Sequence, residues 1–387
     1  MLERKIISKD TIQCDDISTL EVFPKKNHDA VILINTYGGE NCFVYLTDNL
    51  KKIDKKNKYL LNGFMADDKL KLAFKNFRDD RFIVISDSVL IYDVEDDSKD
   101  FIESDKNIAP LYIFDNPQIN NSYFLLSSVK QYGFLRTLAN IASGGHACGF
   151  VKPYLCKISD GRITNQKKIK YEGKSKETFL IKEAIGDSKM IHCLGLRQES
   201  HIQDGLPPHN TPIFLCYIGV DLSKMKTIQQ QNIYQMKEDP FLQDIGIMSI
   251  CNRDNKVYVT FSVHKFPYRG APHNEIQKIT SDIYFLQFNN NPENKPLQIA
   301  EGFMPLVKCD SEGRPCVFWI NHNGNLLFKR KDKNKWTADK ILINKIDMYP
   351  AITFRRYFAA EFDAQDVLHL VYPSNGSLIY EKIRITN

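Results

Sequence analysis

Two stretches near the C-terminus read as copies of one unit, and this repeat constrains the fold more than any other feature. Residues 304–313 (MPLVKCDSEG), 314–321 (RPCVFWIN) and 324–330 (GNLLFKR) form one copy. Residues 357–366 (YFAAEFDAQD), 367–372 (VLHLVY) and 376–382 (GSLIYEK) form the next. Each copy alternates apolar runs with polar turns bearing Gly or Asp, the pattern of three short antiparallel strands. So small a unit cannot bury both of its faces. It is stable only when stacked against others like it.

The same grammar runs through the chain, and helical periodicity is nearly absent. Runs 30–37 and 42–46 flank Gly38-Gly39, a hairpin signature. Further hairpins are predicted for 81–86 with 89–93, 122–129 with 153–158, 189–196 with 212–218, and 256–263 with 282–288. With the two C-terminal copies this makes seven. An inner strand before each hairpin and an outer strand after it would give four-stranded antiparallel blades. The expected fold is therefore an all-β propeller forming one domain over 1–387. Seven blades are the leading count, with six blades or a pair of β-sandwiches as alternatives. The last copy stops at 385–387 without a fourth strand. Residues 5–12 (KIISKDTI) are expected to supply it, closing the ring and removing both open edges.

Composition narrows the function classes. The net charge of +5, from 52 basic and 47 acidic residues, gives little reason to expect a nucleic-acid partner. Lysine runs at 51–58 and 329–335 read as solvated faces. The N-terminus lacks the apolar core of a secretory signal, and no run has the length of a membrane helix. The nine cysteines are an odd number without a CxxC pair. Together these point to a cytoplasmic protein with reduced thiols and no thiolate zinc cluster. Phosphate-loop, GxGxxG, HExxH and GxSxG motifs are absent.

The pattern Asp-x-x-Gly-x-x-x-Val-Phe at Asp310–Phe318 resembles the repeats of sialidase-like, BNR-type propellers. Their signature Asp-box is not intact here: 159–164 (SDGRIT) is one residue short. The Gly-His…Trp-Asp pattern of WD40 repeats is absent, and a Kelch-like double glycine occurs once, at Gly38-Gly39.

The units are unequal, and the inequality is the functional clue. Three central units carry long inserts at 132–149, 197–210 and 264–274. Long loops in compact folds are commonly functional, and equivalent loops of adjacent blades share a face. The inserts hold Arg136 and His146; Arg197, His201, His209 and Asn210; and His264, Tyr268, Arg269 and His273. The first reading is a non-enzymatic scaffold binding a carbohydrate, an acidic ligand or a protein partner through these residues. The second is an enzyme, a polysaccharide lyase or glycosidase. Some seven-bladed polysaccharide lyases look similar, with His, Tyr and Arg on one face. That resemblance implies Arg136 and Arg269 holding a uronate carboxylate, with Tyr268 and a histidine, such as His209, as base and acid. His146, His209 and His273 would be the ligands if a divalent metal is bound. A third reading is an assembly subunit using its short-looped blades, and the plainest is that these are ordinary solvated loop residues.

Other conspicuous residues read as structural. Trp319 and Trp336 are expected to pack, and His192 and His369 to be satisfied core histidines. Arg355 and Arg356 lie near an inner strand, within reach of a central channel, with a turn or a paired structural arginine as the leading reading. The acidic run 93–100 lacks EF-hand spacing and reads as a solvated loop.

Overall fold

The computed structural model describes residues 3–12, 17–24, 30–36, 42–46, 76–77, 81–85, 89–93, 98–102, 108–115, 122–131, 150–159, 162–171, 177–199, 213–236, 242–268, 278–288, 295–347 and 356–386. Among them the regular structure is almost wholly β. The chain opens with β1 (Glu3–Ile12), β2 (Ile17–Pro24), β3 (Ala30–Thr36) and β4 (Cys42–Leu46). Next come β5 (Asn76–Phe77), β6 (Arg81–Ile85), β7 (Val89–Asp93) and β8 (Ser98–Ile102). The middle supplies β9 (Ile108–Asp115), β10 (Ser122–Gln131), β11 (Phe150–Ser159) and β12 (Arg162–Lys168). It continues with β13 (Glu177–Gly186), β14 (Met190–Glu199), β15 (Ile213–Asp221) and β16 (Lys226–Gln235). Then follow β17 (Gln243–Arg253), β18 (Lys256–Lys265), β19 (Thr280–Phe288) and β20 (Leu297–Glu301). The next group is β21 (Phe303–Cys309), β22 (Pro315–Ile320), β23 (Leu326–Asp332), β24 (Lys335–Trp336) and β25 (Lys340–Ile343). Last are β26 (Ala359–Phe362), β27 (Val367–Ser374) and β28 (Ser377–Thr386). No helix among the described residues is long and apolar enough to cross a membrane.

The strands form separate antiparallel sheets, most of them four-stranded meanders, in two compact units. One unit comprises 1–70 and 244–387, the other 71–243. The first holds the sheets β2-β3-β4, β17-β18-β19-β20, β21-β22-β23 and β26-β27-β28-β1, with β24 and β25 both pairing with β23. Its sheets stack face to face, and β22 shows why its sequence is apolar without alternation. Cys316, Phe318 and Ile320 face the sheet of β26–β28, packing with Leu368, Leu370 and Tyr372. Val317 and Trp319 face the opposite way, against Tyr258, Ile283 and Phe285 of the preceding sheet. A strand sandwiched between two sheets needs apolar residues on both faces. Trp336 serves the same seam, its ring edge-on to Phe285 at 4.8 Å.

β1 pairs antiparallel with β28 along its length, with a register shift between Ile6 and Ser8. A buried carboxylate secures it. Glu381 on β28 is 1% exposed and ion-pairs with Arg4 and Lys9, both on β1. Tyr372 donates its hydroxyl to the same carboxylate at 2.9 Å.

Polar five-residue turns recur within this unit. At Asp310–Arg314, Asn321–Asn325 and Asp363–Val367, the first side chain accepts the main-chain N–H of the fifth residue at 2.9–3.0 Å. The fourth residue is left-handed in each: Gly313 (φ 73°), Gly324 (φ 78°) and Asp366 (φ 59°). The need for that conformation accounts for Asp-x-x-Gly, since glycine adopts it without steric cost.

The second unit holds the sheets β5-β6-β7-β8, β9-β10-β11-β12 and β13-β14-β15-β16. Phe114, Leu126 and Leu155 pack with Ile181, Cys193, Cys216 and Ile218 to fill the space between the latter two. At one end of this core His192 Nδ1 lies 2.7 Å from the Tyr217 hydroxyl, and its Nε2 3.2 Å from Asp187 Oδ2. The first unit contains the same arrangement. His369 Nδ1 is 2.7 Å from the Tyr380 hydroxyl and Nε2 is 3.3 Å from Asp363 Oδ2. In both, Asp sits in the turn before the second strand of its sheet, His on that strand and Tyr on the third. A repeat too diverged to read in sequence survives here as a side-chain triad.

Candidate functional site

Within the sheets, the connection between the second and third strands varies most in length. It is short in four sheets, spanning 37–41, 86–88, 321–325 and 375–376. In three it is long: 132–149 after β10, 200–212 after β14 and 266–279 after β18. The topological position is the same every time.

Two boundaries differ from the sequence expectation, and both move residues out of loops. Strand β14 continues to Glu199, because Arg197 pairs across the ladder with Phe214. The Arg197 guanidinium lies over the Phe214 ring, 4.8 Å from its centroid. This cation–π contact clasps the two ends of the 200–212 connection. Strand β18 likewise runs to Lys265, so His264 is a strand residue and fully buried. Its ring stacks on Phe303 at 5.7 Å, and Nε2 lies 3.3 Å from Ser262 Oγ. It is a packing residue, against the expectation that it belongs to an exposed insert. Tyr268, just beyond β18, is 48% exposed at the foot of the third connection. Arg136, His146, His201, His209, Asn210, Arg269 and His273 lie outside the described residues. Among the described residues no grouping of three or more His, Cys, Asp or Glu is placed to hold a metal ion.

A second cluster, absent from the sequence reading, lies in the first unit on the strands that begin its sheets. Lys308 on β21 ion-pairs with Glu361 on β26, at 24% and 29% side-chain exposure. Arg356, just before β26, donates to the carbonyls of Met248 on β17 (3.2 Å) and Pro305 on β21 (3.3 Å). It is the structural arginine expected from sequence, and it ties three strands together. Glu21 on β2 faces the same group. Burial pushes its carboxyl pKa up, while Lys308 and Arg356 oppose the rise. Burial alone would lower the pKa of Lys308, yet Glu361 and Glu21 outweigh it and hold the ammonium charged. Cys251 on β17 and Cys309 at the end of β21 adjoin this cluster, with Sγ atoms 3.3 Å apart. The sequence carried one signal for it: Lys308 and Glu361 are charges set inside apolar strand runs.

A cleft of about 230 Å³ between the sheets of β21–β25 and β26–β28 is lined by Asp310, Arg314, Arg330, Phe328, Phe362 and Asp366. Glu312 also lines it, and its carboxylates have partners within the same turns. Arg314 binds Asp310 at 2.7 Å and Glu312 at 2.9 Å. Asp366 accepts from both the main-chain N–H and the hydroxyl of Ser311 at 2.6 Å. These contacts brace one turn against the next sheet's turn.

Over 98% of its length the chain is similar in fold to hydrazine synthase of Kuenenia stuttgartiensis, with TM-score 0.52, 9% identity and 97% of that chain covered. It matches the Cps50 (Swd1) β-propeller domain of Myceliophteria thermophila equally well, with TM-score 0.52, 8% identity and 98% and 99% coverage. The likeness is one of fold. The separate four-stranded meanders agree with it, and at this identity chemistry does not transfer. No family model matches the sequence. No curated protein is similar to it at a significant level.

Proposed function

We propose that the chain is a non-enzymatic recognition scaffold whose long second-to-third-strand connections bind an acidic ligand, a carbohydrate or a carboxylate-bearing protein surface. The carrying observation is the placement of those connections. Three sheets in succession along the chain have a long connection at this position, spanning 132–149, 200–212 and 266–279, while in the other four it spans five residues or fewer. Loops held at both ends by a rigid sheet are where repeat folds place their binding residues. These carry Arg136, His146, His201, His209, Asn210, Arg269 and His273, with Arg197 and Tyr268 at their feet. Arginine and tyrosine are residue types enriched where binding energy concentrates, and arginine matches carboxylates in a bidentate fashion.

In this reading the sheets are seven blades of one sialidase-like domain spanning 1–387, with β1 closing the last blade, and the protein works in the cytoplasm. Histidines with a bound divalent metal, or Tyr268 and His209 as proton-transfer groups, are not required.

The test is an array of uronate-bearing and sialylated glycans together with acidic peptides, probed with the wild type and an Arg136→Ala/His209→Ala/Arg269→Ala triple variant. The wild type is expected to bind a defined acidic subset, and the variant to lose that binding with an unchanged melting temperature. A variant that unfolds would make these residues structural, and one that still binds would place recognition elsewhere.

A further inference from the structure

Cys251 and Cys309 are set apart from the other described cysteines. Cys156, Cys193, Cys216 and Cys316 are buried in sheet interfaces, whereas Cys251 and Cys309 are partly exposed. Burial pushes the Cys193 thiol up to about 12 and raises Cys156 and Cys316 as well. Such thiols are inert. The pair on β17 and β21 differs in three respects. Its sulfurs lie 3.3 Å apart and share a hydrogen bond, within about 1.3 Å of disulfide bonding distance. It adjoins the Lys308 ammonium, a fixed positive charge. And it joins residues 58 apart in sequence, on neighbouring sheets.

We propose that Cys251 and Cys309 form an oxidation site at which a peroxide converts two thiols into a reversible disulfide linking two adjacent sheets. Cys251 is the attacking sulfur. Its pKa is lowered because the hydrogen bond shared with Cys309 and the nearby Lys308 favour the thiolate and together outweigh burial. The Cys309 thiol is raised by the same contact. The Cys251 thiolate attacks one oxygen of hydrogen peroxide, the O–O bond breaks, and hydroxide leaves with a proton as water. The product is a sulfenic acid on Cys251. The Cys309 sulfur then attacks the Cys251 sulfur, the S–O bond breaks and a second water departs. Two thiols and one hydrogen peroxide thus become one disulfide and two waters. A dithiol reductant reverses the change by thiol–disulfide exchange.

The experiment treats the reduced full-length protein with hydrogen peroxide, blocks the remaining thiols and maps non-reduced peptides by mass spectrometry. The expected product is a peptide pair joined through Cys251 and Cys309, lost on treatment with dithiothreitol and absent from Cys251→Ser. In Cys309→Ser the sulfenic acid on Cys251 has no resolving partner and should be trapped by dimedone. The oxidised wild type should also melt at a higher temperature than the reduced form, because the cross-link restricts the unfolded chain. Cys251 and Cys309 remaining alkylatable at peroxide doses that modify other cysteines would overturn the proposal. So would a Cys309→Ser protein in which dimedone labels Cys251 no more than Cys193.

Discussion

At the scale of single residues, the most informative group is the triad of Asp187, His192 and Tyr217. His192 was legible in the sequence as a core histidine because it interrupts an apolar strand run. Its partners were not legible, since Tyr217 comes from the next strand and Asp187 from the preceding turn. Burial lowers the His192 pKa below 6.5, with Asp187 opposing the shift. The neutral ring is therefore the folded form. Above pH 6.5 the group is neutral in both folded and unfolded chains, and its contribution is complete. As the pH falls, the unfolded chain takes up the proton first, and stability is lost until the folded pKa is passed. The urea midpoint is expected to drop between pH 8 and pH 5, and His192→Gln to remove part of that slope. A variant with the wild-type slope would show that folding does not lower the His192 pKa. At neutral pH, His192→Ala leaves the Tyr217 hydroxyl, in a residue 1% exposed, without its imidazole partner. A cost of about 1–3 kcal/mol in chemical denaturation is expected.

At the scale of elements, strands were legible and their ends were not. The hairpin at 81–85 and 89–93 and the C-terminal copies appear almost where the alternation of apolar runs and turns put them. The errors arise where a strand persists because its partner does. Arg197 stays extended opposite Phe214, and His264 opposite Ser281, although both look like loop chemistry in isolation. Strand burial on both faces makes the sheet seams the main store of stability. Phe318→Ala on β22 removes a fully buried ring from such a seam. It should destabilise by about 3–5 kcal/mol, measured by urea unfolding. Lys335→Ala, at an exposed site, should stay within about 0.5 kcal/mol of wild type. Similar losses from both would mean that β22 is not sandwiched. Strand β1 depends on a different device. Arg4→Ala takes one partner from the buried Glu381 carboxylate, and amide exchange along β1 and β28 should accelerate while β22 stays protected.

At the scale of the whole molecule, the repeat in the sequence led to small stacked sheets, and the fold likeness to β-propeller proteins agrees. The candidate site was legible only as loop length and residue type. Long connections are visible as interruptions between paired apolar runs, but the geometry of Arg136, His209 and Arg269 depends on contacts that no local pattern encodes. The Lys308–Glu361 cluster escaped for the related reason that its members come from strands 53 residues apart. The central claim is that the expanded turns recognise a ligand and the sheets only hold them. The decisive measurement replaces 132–149, 200–212 and 269–277 with five-residue turns patterned on 321–325, keeping the core residues Phe266 and Ile279, then compares melting temperature and array binding with wild type. The account predicts a protein that melts as the wild type does and binds none of the acidic glycans or peptides. A shortened protein that still binds them, or one that no longer folds, would contradict it.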